Sequence, residues 1–215
     1  MIPDGVHIVE FSHEGRSFFA AALETPTGLT LVDTGLPGSA DELESELDAA
    51  GFELDDVTSV LLTHHDGDHA GGLAGLLERR SVPVLAHERC APFVRGERDP
   101  IKGSGEGRYP LAPVTVELVG GETLDTEAGP ARIVHTPGHA PGHLALHFPA
   151  ERFLITGDAL TASDGEVSGP VPEMTPDLPE AERSVRKLAA LDVRKTLSYH
   201  GGEAETDSEE IASLV

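Results

Sequence analysis

Apolar runs that end abruptly in histidine or aspartate recur along this 215-residue chain and restrict how it can fold. The densest example is LLTHHDGDHAGG, and shorter ones are LVDTG (31–35), HTPGHAPGH (135–143), LITGDAL (154–160) and LSYHGG (197–202). Short apolar runs of this kind are typical of buried strands. Polar side chains at the ends of several strands can converge at one sheet edge, where the sheet holds them rigidly. We therefore expect a fold that gathers these segments at a common site.

The rest of the pattern predicts alternating strands and helices. Strands are predicted at 6–11, 17–24, 28–34, 57–63, 82–87, 114–119, 131–135, 144–148, 152–156 and 195–199. Helices are predicted at 38–52, 70–80, 178–191 and 207–215, with a weak short one within 88–97. Ser39 and Glu42 have the spacing of a capping box, and Gly51 is the expected helix stop. Residues 97–113 are the main predicted loop, and no linker divides the chain, so one domain over 1–215 is expected.

The charge balance is strongly acidic, with 38 acidic and 15 basic residues and a formal net charge of −23. Such a surface repels nucleic-acid phosphates and anionic membranes, so we expect a small-molecule substrate and neither of those partners. The acids are spread along the whole chain and lysine is scarce, which favours a halophilic cytoplasm. A cationic leader and an apolar run of membrane-spanning length are not seen, so a cytoplasmic location is expected. The oligomeric state stays open, a homodimer being one alternative.

Imidazole and carboxylate are suitable ligands for zinc, iron or manganese. The single cysteine, Cys90, rules out an internal disulfide and a cysteine-based zinc cluster. Seven plausible histidine and aspartate ligands fall in four segments, which fits a two-metal site better than a single metal.

In its order of motifs the chain resembles the metallo-β-lactamase superfamily. The signature of that superfamily is His-x-His-x-Asp-His, followed by a lone His, a lone Asp and a final His. The match runs from Asp33 to His200, and TPGHAPGH and TGDAL are especially similar to the glyoxalase II and lactonase branches. The resemblance implies an α/β (α+β) fold, a four-layer αβ/βα sandwich with the metals at the shared edge of its two sheets.

Carried over position by position, the resemblance implies two sets of ligands and one bridging residue. The first metal would be held by His64, Asp66 and His139, the second by Asp68, His69 and His200, and the bridging residue would be Asp158. Asp68 would also be catalytic, as the hydrogen-bond acceptor of a metal-bound hydroxide. Asp33 would orient the ligand loop without touching metal.

One position departs from the superfamily pattern, because Asp66 stands where the signature has its second histidine. A carboxylate is harder than imidazole and adds negative charge, which shifts preference towards iron or manganese. Two divalent ions are expected, with zinc first and iron or manganese as alternatives. A weakened first site that leaves one strongly bound metal is the other alternative.

The neighbours of these ligands have less definite roles. His65 is expected to face away from the metals, since the residues beside it take the coordinating positions. His143 and, less so, His135 are candidates for hydrogen bonding behind the ligands. Gly71 and Gly72 would permit a close backbone approach or simple helix packing.

The predicted function is a metal-dependent hydrolase in which a metal-bound hydroxide attacks an ester, thioester or lactone carbonyl. The alternative is an iron-dependent redox enzyme of the same fold, similar to persulfide dioxygenases. Two features of the named branches are missing: the basic carboxy-terminal extension of glyoxalase II and the lactonase tyrosine shortly after Asp158. A group of cations in or beside the long loop could attract an anionic substrate, namely Arg95, Arg98, Lys102 and Arg108.

Overall fold

A computed structural model of the chain describes residues 2–102 and 109–215. Two six-stranded mixed sheets dominate it, with strand orders β1-β2-β3-β4-β5-β6 and β14-β13-β10-β9-β8-β7, beside a small β11-β12 ribbon. The first sheet comprises β1 (Val6–His13), β2 (Arg16–Thr25), β3 (Gly28–Val32), β4 (Val57–Leu61), β5 (Val84–His87) and β6 (Val116–Leu118). The second comprises β7 (Thr123–Leu124), β8 (Ala131–His135), β9 (Leu144–Phe148), β10 (Phe153–Gly157), β13 (Lys195–Ser198) and β14 (Gly202–Glu205). The ribbon pairs β11 (Thr161–Ser163) with β12 (Glu166–Ser168).

Helices lie on the outer faces of both sheets. The parallel strands β3, β4 and β5 are joined by helical crossovers, as parallel pairing requires. These crossovers and the following connection contain α1 (Ala40–Ala49), α2 (Gly67–Ala70), α3 (Leu73–Arg79) and α4 (Ala91–Val94). The helices of the second half are α5 (Leu178–Ala189) and α6 (Ser208–Ser213).

Three buried apolar clusters separate the layers. The central one packs one sheet on the other, joining Leu23 and Leu61 of the first to Leu146 and Phe153 of the second. An outer cluster packs α1 and α3 on the first sheet, and another packs α5 and α6 on the second. The order is therefore helix, sheet, sheet, helix, and the predicted four-layer sandwich is confirmed. None of the helices in the described ranges is long and apolar enough to cross a membrane.

The capping box predicted at Ser39 and Glu42 is wrong. The Ser39 hydroxyl donates to the carbonyls of Thr34 and Leu36, both at 2.8 Å, and does not cap α1. The Glu42 carboxylate instead accepts the backbone N–H of Ser12 at 2.7 Å, which ties α1 to β1. Ser39 therefore bonds within the preceding turn and Glu42 bonds to another element, and the two do not form a reciprocal cap. The stop at Gly51 fits the structure, since this residue follows α1 with φ +90°.

Other differences lie at element ends and at short strands. The predicted strand 57–63 ends at Leu61, and the predicted helix 70–80 is divided into α2 and α3. The described part of the predicted loop 97–113 has no helix or strand, and 103–108 lie outside the described residues. Four short strands were not predicted, namely β7, β11, β12 and β14. Each has only two to four residues, too few to show a period.

The close approach expected at Gly71 and Gly72 is confirmed. A Cβ added at Gly71 would lie 2.4 Å from Pro37 Cδ, and one at Gly72 would lie 2.1 Å from the carbonyl oxygen of Thr34. Both distances are far inside van der Waals contact. The loop after β3 therefore packs directly on the backbone that follows α2.

The substitution Gly72→Ala is expected to destabilise the fold by about 2 kcal/mol, because the added methyl must displace backbone. Gly75→Ala is the matched control, since its Cβ would meet only Ala40 Cβ at 3.6 Å, an ordinary contact. Alanine also favours helix over glycine, so this control should be neutral or stabilising. Denaturant unfolding of both variants measures the difference. Equal stabilities would contradict the packing described here.

Candidate metal centre

All seven predicted ligands lie together where strands of both sheets end. The first sheet delivers His64, Asp66, Asp68 and His69, which follow β4 and enter α2. The second sheet delivers His139 from the turn between β8 and β9, Asp158 after β10 and His200 after β13. The site is thus assembled from segments more than a hundred residues apart.

His64, Asp66 and His139 form the first ligand group. The Nε2 atoms of His64 and His139 lie 3.3 and 3.1 Å from Asp66 Oδ2. All three ligand atoms fall within 4.8 Å of one another. The spacing suits donors that surround a single ion.

The second group joins Asp68, His69 and His200. Asp68 Oδ2 lies 3.3 Å from His200 Nε2 and 3.8 Å from His69 Nε2. This group also fits within 4.8 Å. Its carboxylate is 28% exposed, whereas His69 is fully buried.

Asp158 lies between the two groups. Its Oδ2 is 3.1 Å from His139 Nε2 and 3.3 Å from His200 Nε2. Its Oδ1 is 3.2 Å from His69 Nε2. One buried carboxylate therefore contacts ligands of both groups, as a bridging ligand must.

Several of these candidate metal-ligand atoms lack hydrogen-bond partners in the described structure. They are His64 Nε2, His69 Nε2 and Asp158 Oδ1, all buried. Leaving a buried polar atom without a partner costs about 1–3 kcal/mol, so such atoms are rare in the absence of a ligand. Converging imidazole nitrogens and carboxylate oxygens fit a divalent metal of the zinc, iron or manganese type.

Comparison with known proteins agrees with this donor set. The family model described as the metallo-beta-lactamase superfamily matches residues 19–200, which include every ligand candidate. The chain belongs to the metallo-beta-lactamase superfamily. The predicted superfamily, its fold and its metallo-hydrolase class are confirmed at that level.

Individual relatives are distant. The chain is 28% identical over 212 residues to the probable metallo-hydrolase YflN of Bacillus subtilis (strain 168), covering 86% of this chain and 79% of that protein. It is 34% identical over 149 residues to hydroxyacylglutathione hydrolase of Ruegeria pomeroyi, covering 69% and 49%. The chain thus spans about half the length of that relative. A metallo-beta-lactamase family protein from Thermus thermophilus superposes with a TM-score of 0.77 at 27% identity, covering 99% of this chain and 80% of that one.

Asp33 supports the ligands from behind, as expected. Its carboxylate accepts the N–H and hydroxyl of Thr63 at 2.7 and 2.6 Å, and it lies 2.8 Å from His69 Nδ1. With Nδ1–H donating to Asp33, His69 presents its Nε2 lone pair to the metal group. Asp33 itself has φ +67°, an uncommon conformation that persists only where the surroundings fix it.

Thr63 supports the ligand next to it, His64. Its hydroxyl proton goes to Asp33, so its oxygen accepts from His64 Nδ1–H at 3.1 Å. This leaves His64 Nε2 free to ligate. Thr63 was not predicted, although its position just before the first ligand is a usable signal.

His143 holds the backbone of Asp158. Its Nε2 accepts the Asp158 N–H at 2.9 Å, and its Nδ1–H donates to the Thr136 hydroxyl at 2.7 Å. Burial and the nearby His139 keep the pKa of His143 well below its usual value, so the ring stays neutral. The hydrogen-bonding alternative considered for His143 is therefore the one the structure shows.

His65 and His135 lie outside the metal groups. His65 points away from the metals, as expected, and stacks on Phe93 with ring centroids 4.0 Å apart. His135 stacks on His87 at 3.9 Å and donates to the carbonyl of Pro141 at 3.0 Å. Neither belongs to a ligand group in the described chain.

Tyr199 connects the two halves of the site. Its ring lies 3.7 Å from that of His69, and its hydroxyl donates to the backbone carbonyl of Asp68. Burial keeps the pKa of Tyr199 well above its usual value, so it remains a neutral donor. The sequence showed only that this tyrosine precedes His200.

The loop cations behave differently from one another. Lys102 reaches the first group, where its ammonium lies 2.5 Å from Asp66 Oδ2 and also contacts His139 Nε2. Arg95 is engaged by Glu97 and Glu117 at 2.6 and 2.7 Å, and Arg98 lies 6.0 Å over the Phe93 ring. Arg108 falls outside the described residues. The idea that these four cations jointly attract a substrate is therefore not supported for Arg95, and Lys102 binds a ligand residue instead.

A cavity of about 400 Å³ opens onto the two groups. Besides ligands, it is lined by residues that the sequence did not single out: Arg16, Phe18, Thr161, Val171 and Met174. Phe18 reaches the site through a bridge between β2 and His200, and their rings lie 5.4 Å apart. That contact joins residues far apart in the chain, so sequence spacing gave no signal for it.

Metal binding is expected to release protons in a pH-dependent way. Burial opposes a charged His200, but hydrogen bonds to Asp158 and Asp68 prevail and raise its pKa to about 9. The imidazolium must lose its proton to ligate. Affinity of the second group should therefore strengthen, and proton release should fall, as pH rises from 7 towards 9. Chelator competition and calorimetry in buffers of different ionisation enthalpy measure both. A constant affinity over this window would contradict the assigned charge of His200.

Proposed function

We propose that the chain is a metal-dependent hydrolase that cleaves an ester, thioester or lactone carbonyl of a small molecule. The observation that carries the proposal is the contrast between two carboxylates. Both line the cavity, but Asp158 is 7% exposed and lies between the ligand groups, whereas Asp68 is 28% exposed. This contrast supports an organising role for Asp158 and contact with the reacting molecule for Asp68.

Two divalent ions, with zinc as the expected metal, are part of this proposal. When bound, such ions lower the pKa of water and polarise a carbonyl oxygen. The chain would hold them through His64, Asp66 and His139 in one group and Asp68, His69 and His200 in the other, with Asp158 shared. The support is that Asp158 contacts His139 and His200 through the same oxygen.

Asp68 is suited to accept the hydrogen bond of the attacking water. Burial would raise the pKa of this carboxyl, but the neighbouring His69 and the hydrogen bond from His200 lower it. It is therefore ionised and an acceptor near neutral pH. Its backbone carbonyl accepts from Tyr199, and its carboxylate lies 3.3 Å from His200 Nε2.

Metal content is the first test. Elemental analysis of the protein, purified in high salt without added metal, is expected to give two zinc ions per chain. Asp66 favours the iron alternative, because a carboxylate replaces an imidazole in the first group. One iron per chain, with oxygen consumption on persulfides, would contradict the hydrolase and support the redox enzyme.

Replacing Asp68 with alanine is expected to lower hydrolysis of a thioester or lactone probe by a factor of about 10² or more. The fold should remain, since this side chain is partly exposed. Asp48→Ala, which removes an exposed carboxylate from α1, is the matched control and should be fully active.

Metal content is measured on both variants beside circular dichroism. Loss of activity with both ions retained would assign Asp68 to the reaction, and loss of one ion would assign it mainly to metal binding. Retained activity would mean that the attacking water is held elsewhere.

A further inference from the structure

The cavity beside the metal centre has a divided surface. Its floor is formed by ligands, and one part of its wall is apolar, contributed by Phe18, Val171 and Met174. Val171 and Met174 are 39% and 53% exposed, unusually high for large apolar side chains in this protein. Among the described lining residues, Arg16 is the only arginine or lysine.

Arg16 is presented by a rigid turn. It pairs with His13 at the end of the β1-β2 hairpin, and the two residues of the turn, Glu14 and Gly15, both have positive φ, +50° and +77°. Such a turn matches the twist of the strands and holds a hairpin closely. Arg16 and Phe18 are two residues apart on β2, so they face the same side of the sheet.

Phe18 fixes the distance from this face to the metals. Its ring lies 5.4 Å from that of His200, and the neighbouring Phe19 N–H donates to the Tyr199 carbonyl at 2.9 Å. Two residues along a strand span about 6.6 Å. Arg16 therefore lines the same cavity from a backbone position about 6.6 Å further along β2 than Phe18.

The charge of Arg16 is not used within the described structure. Most basic side chains of this acidic protein pair with a carboxylate, for example Arg79 with Asp41 and Arg152 with Asp192. Arg16 makes no ion pair or side-chain hydrogen bond with any described residue. A guanidinium that lines a cavity and has no partner among the described residues is suited to bind a carboxylate in a forked geometry.

We propose that the substrate is an acyl compound whose apolar chain ends in a carboxylate, and that Arg16 binds this carboxylate while the chain lies on Phe18, Val171 and Met174. The inference rests on the proposed hydrolase function, because it names the substrate class of the same site. Thr161, which also lines the cavity, offers a further polar contact.

Two matched probes test the inference. The 4-nitrophenyl monoester of adipate and the 4-nitrophenyl ester of hexanoate have acyl chains of equal length and differ in the terminal carboxylate. The wild-type protein should prefer the adipate ester, and Arg16→Gln should lower that preference in kcat/KM by about fivefold, mainly through KM. Arg16→Lys should retain part of it. Arg132→Gln removes an exposed positive charge on β8, outside this cavity, and should change nothing.

A binding measurement separates this inference from the proposed function. Calorimetry with adipate and hexanoate, the product acids, requires no catalysis. If neither these esters nor the thioester and lactone probes are hydrolysed but Arg16→Gln weakens adipate binding alone, the hydrolase proposal fails and the carboxylate site stands. If both esters are hydrolysed equally, and adipate binds equally to wild type and Arg16→Gln, the hydrolase stands and the carboxylate site is overturned.

Discussion

The hydrogen bonds of Asp33 are the constraint on which the rest of the centre depends. This one buried carboxylate fixes Thr63 by two contacts and His69 by a third. Thr63 in turn fixes the ring of His64. One ligand from each metal group is therefore oriented by the same residue. Because Asp33 follows β3 and its partners follow β4, the parallel pairing of these strands sets the distance between them.

The second sheet completes a centre that neither sheet could form alone. His139, Asp158 and His200 come from its strand ends, and His143 holds the amide of Asp158. The apolar cluster between the sheets keeps these ends opposite those of β3 and β4. Burial of large apolar side chains stabilises that packing by about 1.5–3 kcal/mol each. The core between the sheets thus holds the two halves of the centre opposite each other.

The sequence predicted the ligands better than it predicted the walls of the site. His64, Asp66, Asp68 and His69 are neighbours along the chain, and His139, Asp158 and His200 each follow an apolar strand, so the candidates could be matched to the superfamily signature. The predicted helix cap at Ser39 was wrong because its hydroxyl has nearer acceptors in the preceding turn.

Phe18, Val171 and Met174 could not be predicted, since they reach the cavity only through contacts between distant segments. Lys102 was noted for its charge, but its partner, Asp66, depends on how the loop folds back.

The carboxylates of the centre are compensated by positive charge. Three carboxylates, Asp66, Asp68 and Asp158, converge in a space largely closed to water, and ionised carboxylates in that setting need positive partners. The Lys102 ammonium contacts Asp66 of the first group, and the raised pKa of His200 supplies charge to the second. Divalent ions would take over this role by displacing the ammonium and the proton. The carboxylates that would attract metal ions therefore also hold the ammonium and the proton that those ions must displace.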